Sequence, residues 1–117
     1  MTANLDFSYI NDIAGGEKEP FFNLLRIVSK NLNEYPPQIE LAFQEQEWED
    51  LRKLSHKFKS CTAYLSFPEL NDILVELEYA KENDMADEDI ASRISKMKDY
   101  SLITQEQVTN KLAEMMR

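Results

Sequence analysis

Apolar residues recur along this chain at the three- and four-residue spacing of a helix face, and nowhere in the two-residue alternation of a strand. The spacing predicts a short helix over DFSYINDIA, stopped by Gly15-Gly16. A second helix begins near Glu17, where EKEP puts acids and Pro20 in the first turn. Its stripe is Phe21, Leu24, Leu25, Val28 and Leu32, and the NEYPP stretch, with Pro36 and Pro37, is expected to end it. A third segment carries Ile39, Ala42 and Phe43 to about Gln46. A fourth starts near Glu47, includes Trp48 and stops near Ser66. SFPE then reads as a capping box, with Ser66 as the N-cap, Pro68 in the first turn and Glu69 at the third position. The fifth helix carries Leu70, Ile73, Leu74 and Leu77, and ENDMADED follows as a turn and an acidic helix start. The last segment shows Ile90, Ile94 and Met97, then Val108, Leu112 and Met115. Its pattern weakens between Asp99 and Thr104, where a kink or break is expected.

Amphipathic helices joined by short links pack as an up-and-down bundle. The expected fold is therefore all-α, a four-helix bundle with one or two additional short helices at the N-terminus. Residues 1–117 suffice for a single domain with one core. Two glycines and four prolines leave few turns, which disfavours a sandwich or barrel.

Charge narrows the partners. A net charge of −9 repels nucleic acid and anionic membranes. No apolar run approaches a membrane span and no secretory signal leads the chain, so a cytoplasmic location is expected. The one cysteine, Cys61, falls on an apolar helix face and reads as a buried small hydrophobe. One histidine and one cysteine cannot build a structural zinc site, and ADEDI lacks the glycine and alternating oxygen ligands of a calcium loop. No metal site is expected.

The one histidine, His56, lies in LRKLSHKFKSCTAYL. Each helical residue turns about 100° about the axis. With Phe58 as reference, Leu51, Leu54, Cys61, Thr62 and Leu65 fall within about 60° of it, while His56 lies about 160° away. A lone histidine is commonly a satisfied core residue, but this angle turns it to solvent. Its face-sharing neighbours are Arg52, Lys53, Lys59 and Ser60, with Ala63 two turns on. From Leu51 through Pro68 there are four basic residues and no acid, whereas the rest of the chain holds nine basic residues against 22 acids. Such a patch around an exposed imidazole suits transient handling of phosphate. The competing reading is a charged, solubilising helix face.

LSHKFKSCTAYLSFPELNDILVELE resembles the core of histidine-containing phosphotransfer (HPt) domains. That family shows a histidine, an apolar residue two on, a lysine three on, usually a glycine four on, and a second helix ending in a Leu-Glu or similar pair. Here these positions are His56, Phe58, Lys59, Ser60, Leu77 and Glu78. The upstream helices, including the acid-tryptophan start of the histidine helix, are also similar, so the likeness covers residues 6 to 115. Two departures stand out. Ser60 and Ser66 both replace common glycines. Serine is the next smallest polar choice, so docking is expected to survive; its hydroxyl could bond the imidazole or the phosphoryl group, and the change could narrow the range of partners or slow transfer.

The resemblance implies a phosphocarrier rather than an enzyme. His56 accepts a phosphoryl group from a receiver-domain phosphoaspartate and passes it to another receiver. The imidazole ring in general titrates near neutral pH, so its nucleophilic neutral form is available. Lys59 stabilises the phosphoryl oxygens, or is a solvated lysine. Glu78 orients the imidazole, or is a surface acid. Arg52, Lys53, Lys57, Ser60 and Ala63 form the binding rim. The first helix, with Tyr9, Ile10 and Ile13, is either part of the docking surface or a cap on the bundle end. The implied partners are a response-regulator receiver and a hybrid sensor histidine kinase. Mg²⁺ belongs to the receiver, no cofactor to this chain, which is expected to act as a monomer. The start at Met1 favours a free-standing protein. The alternative is a helical interaction module that binds a receiver or kinase without accepting phosphate. A hydrolase is disfavoured, since no nucleophile–base pair beyond His56 and no glycine-rich phosphate cradle occurs.

Overall fold

The computed structural model describes residues 5–117. Five α-helices follow one another: α1 (Ser8–Ile13), α2 (Lys18–Gln44), α3 (Trp48–Thr62), α4 (Pro68–Glu78) and α5 (Asp87–Met115), with a 3₁₀ turn at Ala63–Leu65 after α3. No strand occurs among the described residues. In α2 to α5 each helix packs on the next, and α5 closes back on α2, which is the up-and-down four-helix bundle. The short α1 packs on α2 and on the 3₁₀ turn. At 27 and 29 residues, α2 and α5 are nearly twice as long as α3 or more, and they set the 46 Å long axis.

The predicted stripes form the core. Leu25, Val28, Leu32 and Ile39 of α2, Leu51 and Phe58 of α3, Leu70, Leu74 and Leu77 of α4, and Ile90, Ile94, Met97 and Val108 of α5 are all buried. Phe58 sits at the centre, its ring stacked on Tyr35 at 5.5 Å between centroids. The chain leaves α1 through Gly15 and Gly16, both at positive φ, and leaves α2 through Gln46 (φ 57°). Both exits are Schellman turns: Gly16 N–H donates to Asn11 C=O, and Glu47 N–H to Ala42 C=O, each at 2.9 Å.

Three local expectations fail. First, Pro36 and Pro37 do not end the second helix, so the second and third segments are one helix, α2. Pro36 is buried, and the flanking Tyr35 and Ile39 both pack into the core, so tertiary contacts hold the helix across two missing N–H donors. Second, α5 runs unbroken through 99–104. Ser101 and Thr104 continue the inward stripe between Met97 and Val108, and both are buried. Their hydroxyls bond back within the helix, Thr104 Oγ1 to Tyr100 C=O at 2.6 Å and Ser101 Oγ towards Met97 Sδ at 3.8 Å. The stripe weakened in hydrophobicity but not in spacing. Third, Ser66 is not an N-cap. It adopts the left-handed conformation (φ 54°, ψ 47°) that closes the 3₁₀ turn. Phe67 takes the cap position without a side-chain bond, and Pro68 opens α4.

Candidate functional site

α3 lies between α2 and α4, so its Phe58 face is covered and its opposite face is open. His56 is on that open face, with its side chain 57% exposed. Glu78 is the last residue of α4 and its side chain is only 4% exposed. Packing of α4 along α3 brings the two together, with His56 Nδ1 3.1 Å from Glu78 Oε1. Lys59, one turn further along α3, donates from Nζ to the same oxygen at 2.9 Å.

The electrostatics of this cluster are set by Glu78. Burial alone would raise its carboxyl. The Lys59 ammonium and the His56 ring N–H bonded to it, with a contribution from Tyr79, outweigh that and hold it below its ordinary value. A carboxylate at a helix C-terminus also faces the negative end of the dipole, which makes these two donors the more necessary. An ionised Glu78 can only accept, so Nδ1 must carry the ring hydrogen. In the neutral ring the lone pair is then left on Nε2, the nitrogen not bonded to Glu78. Chemically, this is an exposed nucleophile with a fixed tautomer, a cation beside it and a carboxylate behind it.

The rest of the basic rim is distributed differently. Arg52 is engaged by Glu49 on its own helix, Nε to Oε2 at 3.2 Å, and that carboxylate holds its guanidinium above its ordinary value. Lys53 and Lys57 are exposed, and on the helix wheel both lie on the far side of His56 from Lys59. Ala63 is exposed at the start of the 3₁₀ turn, two turns beyond His56. The Ser60 hydroxyl bonds the His56 backbone carbonyl at 3.1 Å, not the ring. The expectation that it would reach the imidazole fails because an exposed helical serine finds its own i−4 carbonyl first. Cys61 is buried and accepts from Asn31 Nδ2 at 3.2 Å, and burial pushes its thiol up.

An apolar groove of about 290 Å³ opens beside Ser60, lined by Ile10, Ile13, Leu24, Ile27, Cys61 and Tyr64 among others. Ile10 points inward and is buried, whereas Tyr9 and Ile13 are exposed. Tyr9 stacks on Tyr64 at 5.9 Å between centroids, tying α1 to the end of the histidine helix. Ile27 and Tyr64 escaped notice in the sequence. The available signal was an aromatic and a β-branched residue, each off its helix's core stripe.

A family model described as the Hpt domain matches residues 23–115. Among solved structures, the chain is similar to the crystal structure of the HPt domain of a hybrid histidine kinase from Shewanella. The identity is 18%, 94% of each chain is covered and the TM-score is 0.78. That likeness concerns the fold. No curated protein matches. No described helix is long and apolar enough to cross a membrane.

Proposed function

The chain belongs to the Hpt domain family, whose members are phosphotransfer modules of two-component relays, and on that premise we propose that His56 is its phosphoacceptor. The observation that carries this reading is the buried Glu78 carboxylate bonded to Nδ1 of an imidazole that is otherwise open to solvent.

In this reading a receiver domain brings a phosphoaspartate to the open face of α3. The Nε2 lone pair attacks phosphorus in line with the aspartyl oxygen. The N–P bond forms, the P–O bond to the aspartyl carboxyl breaks, and that carboxylate leaves with the electron pair. The ring gains positive charge, which the Glu78 carboxylate stabilises through the Nδ1 hydrogen. Lys59, held beside the ring at Glu78 Oε1, neutralises the incoming phosphoryl oxygens. The reverse sequence delivers the group to a second receiver. Such transfer rests on positioning and charge stabilisation. The chain is then a stoichiometric carrier, not a kinase or hydrolase. It acts as a cytoplasmic monomer between a hybrid sensor kinase and a response-regulator receiver. Mg²⁺ sits on the receiver and no cofactor on this chain.

The docking surface in this reading combines the basic rim with the groove beside Ser60, where Ile13, Ile27 and Tyr64 offer apolar area. Arg52, Lys53 and Lys57 add field around it. The test is incubation with a phosphorylated receiver, alongside His56→Ala. Acid-labile, base-stable label on the wild type alone supports the carrier. Receiver binding without label supports an interaction module instead.

A further inference from the structure

We infer that Arg52 is a second cationic ligand of the phosphoryl group carried by His56, and that Glu49 holds it in reserve. The inference rests on the phosphoacceptor reading and adds to it a residue that touches the reacting group.

Position comes first. Arg52 precedes His56 by four residues on α3, so the two share a face with Cβ atoms about 5–6 Å apart. On the helix wheel Arg52 and Lys59 fall on one side of the imidazole, about 40° and 60° from it. One stands a turn before the ring and the other a turn after. The structure agrees, since Arg52 and Glu78 line one small cleft between the start of α3 and the end of α4. Lys81 lines that cleft too, but is turned to Asp87 at 3.5 Å and to the Trp48 ring at 3.9 Å.

The two flanking cations differ in how firmly they are held. Lys59 is 23% exposed and donates to the buried Glu78 carboxylate. A phosphoryl group that drew on Lys59 alone would have to share it with that acid. Arg52 is 40% exposed, and its Nε and Nη2 both donate to Glu49, which is 62% exposed. An exposed pair of this kind on one helix is weak. Glu49 also lies in the first turn of α3, where water and the positive end of the helix dipole stabilise its carboxylate without Arg52. Glu82, the remaining acid of the cleft, is exposed. A phosphoryl group brings about two negative charges and three acceptor oxygens, to which a guanidinium donates as a fork. In the transfer step the N–P bond forms and the aspartyl P–O bond breaks as described above. Arg52 only exchanges acceptors, leaving the Glu49 oxygens for those on phosphorus.

The test uses phosphoramidate, a small phosphoryl donor that needs no docking surface. Nε2 attacks its phosphorus and its own P–N bond breaks, releasing ammonia. Phosphohistidine formation on the full chain is followed by phosphorus NMR. Arg52→Gln should slow it about ten-fold, and Arg52→Lys should recover part of the loss. Glu49→Gln should speed it about two- to three-fold, because the guanidinium is no longer held back. In the Arg52→Gln background Glu49→Gln should have no effect, since it acts through Arg52. A wild-type rate in Arg52→Gln, or a Glu49→Gln effect that persists without Arg52, would overturn the inference alone. Wild-type chain that takes up no phosphate on His56 would overturn the phosphoacceptor reading together with it.

Discussion

Glu78 Oε1 lies 3.1 Å from His56 Nδ1, although the two residues are 22 positions apart and on different helices. The acid is buried and the base is exposed. One end of the imidazole is thus anchored in the protein while the other is offered to solvent. Replacing Glu78 with glutamine keeps the size but removes the charge that fixes the tautomer. Glu78→Gln should slow phosphoryl transfer about ten-fold or more with the helix content unchanged. Transfer at the wild-type rate would deny Glu78 an orienting role.

The same carboxylate makes a pH prediction. Its folded value lies below the ordinary 4.5, so on acidification the unfolded chain takes up this proton first. The contribution of Glu78 to stability is complete above about pH 4.5 and is lost as the pH falls through the folded value. Wild type should therefore lose stability in that acid range more steeply than Glu78→Gln, as read from urea midpoints across the range. Parallel curves would contradict the assignment.

Lys59 is only partly exposed, and its ammonium shares Glu78 Oε1 with the imidazole. In the proposed transfer, removing it takes away the cation assigned to the phosphoryl oxygens. Lys59→Ala should cut the transfer rate about ten- to a hundred-fold, the scale of one charged hydrogen bond. Circular dichroism should be unaltered. Receiver affinity should change little, which separates this effect from loss of docking.

The groove beside Ser60 predicts where a receiver seats. Ile13 and Ile27 are both about half exposed, so a polar substitution there does not touch the core. Ile27→Asp and Ile13→Asp should each weaken receiver binding about ten-fold by desolvating a new charge against the partner. Calorimetric titration with the receiver measures this. Unchanged affinity in both variants would restrict α1 to capping the bundle end.

Ser66 holds a left-handed backbone conformation with a side chain in place. An L-residue there is strained by about 1–2 kcal/mol, and glycine is not. Ser66→Gly should raise stability by about 0.5–1 kcal/mol once the greater freedom of the unfolded glycine is allowed for. A chemical denaturation midpoint that falls instead would contradict the strain argument.

The helix faces were readable because burial follows spacing: Leu51, Phe58 and Leu65 lie on one side of α3 and His56 on the other. Two misreadings came from treating local chemistry as decisive. Pro36 and Pro37 break an isolated helix, but a buried Pro36 between Tyr35 and Ile39 is held by neighbours that the sequence does not display. Ser101 and Thr104 look polar in a list and act as core residues in a helix. At the site, the outward turn of His56 followed from the 100° step per residue. The Glu78 contact did not, because no spacing within one helix reports the register of α4 against α3. That pairing entered only through the family resemblance. The Ser60 bond to its own helix was hidden by a simpler ambiguity, since one hydroxyl had two acceptors within reach.

The central claim is that His56 offers Nε2 to a phosphoryl donor while Nδ1 stays bound to Glu78. Long-range proton–nitrogen NMR of the chain, recorded after incubation with a phosphorylated receiver, reads both ring nitrogens directly. The account predicts a phosphoryl group on Nε2 and a retained hydrogen on Nδ1. Phosphate on Nδ1, on another residue, or nowhere would contradict it.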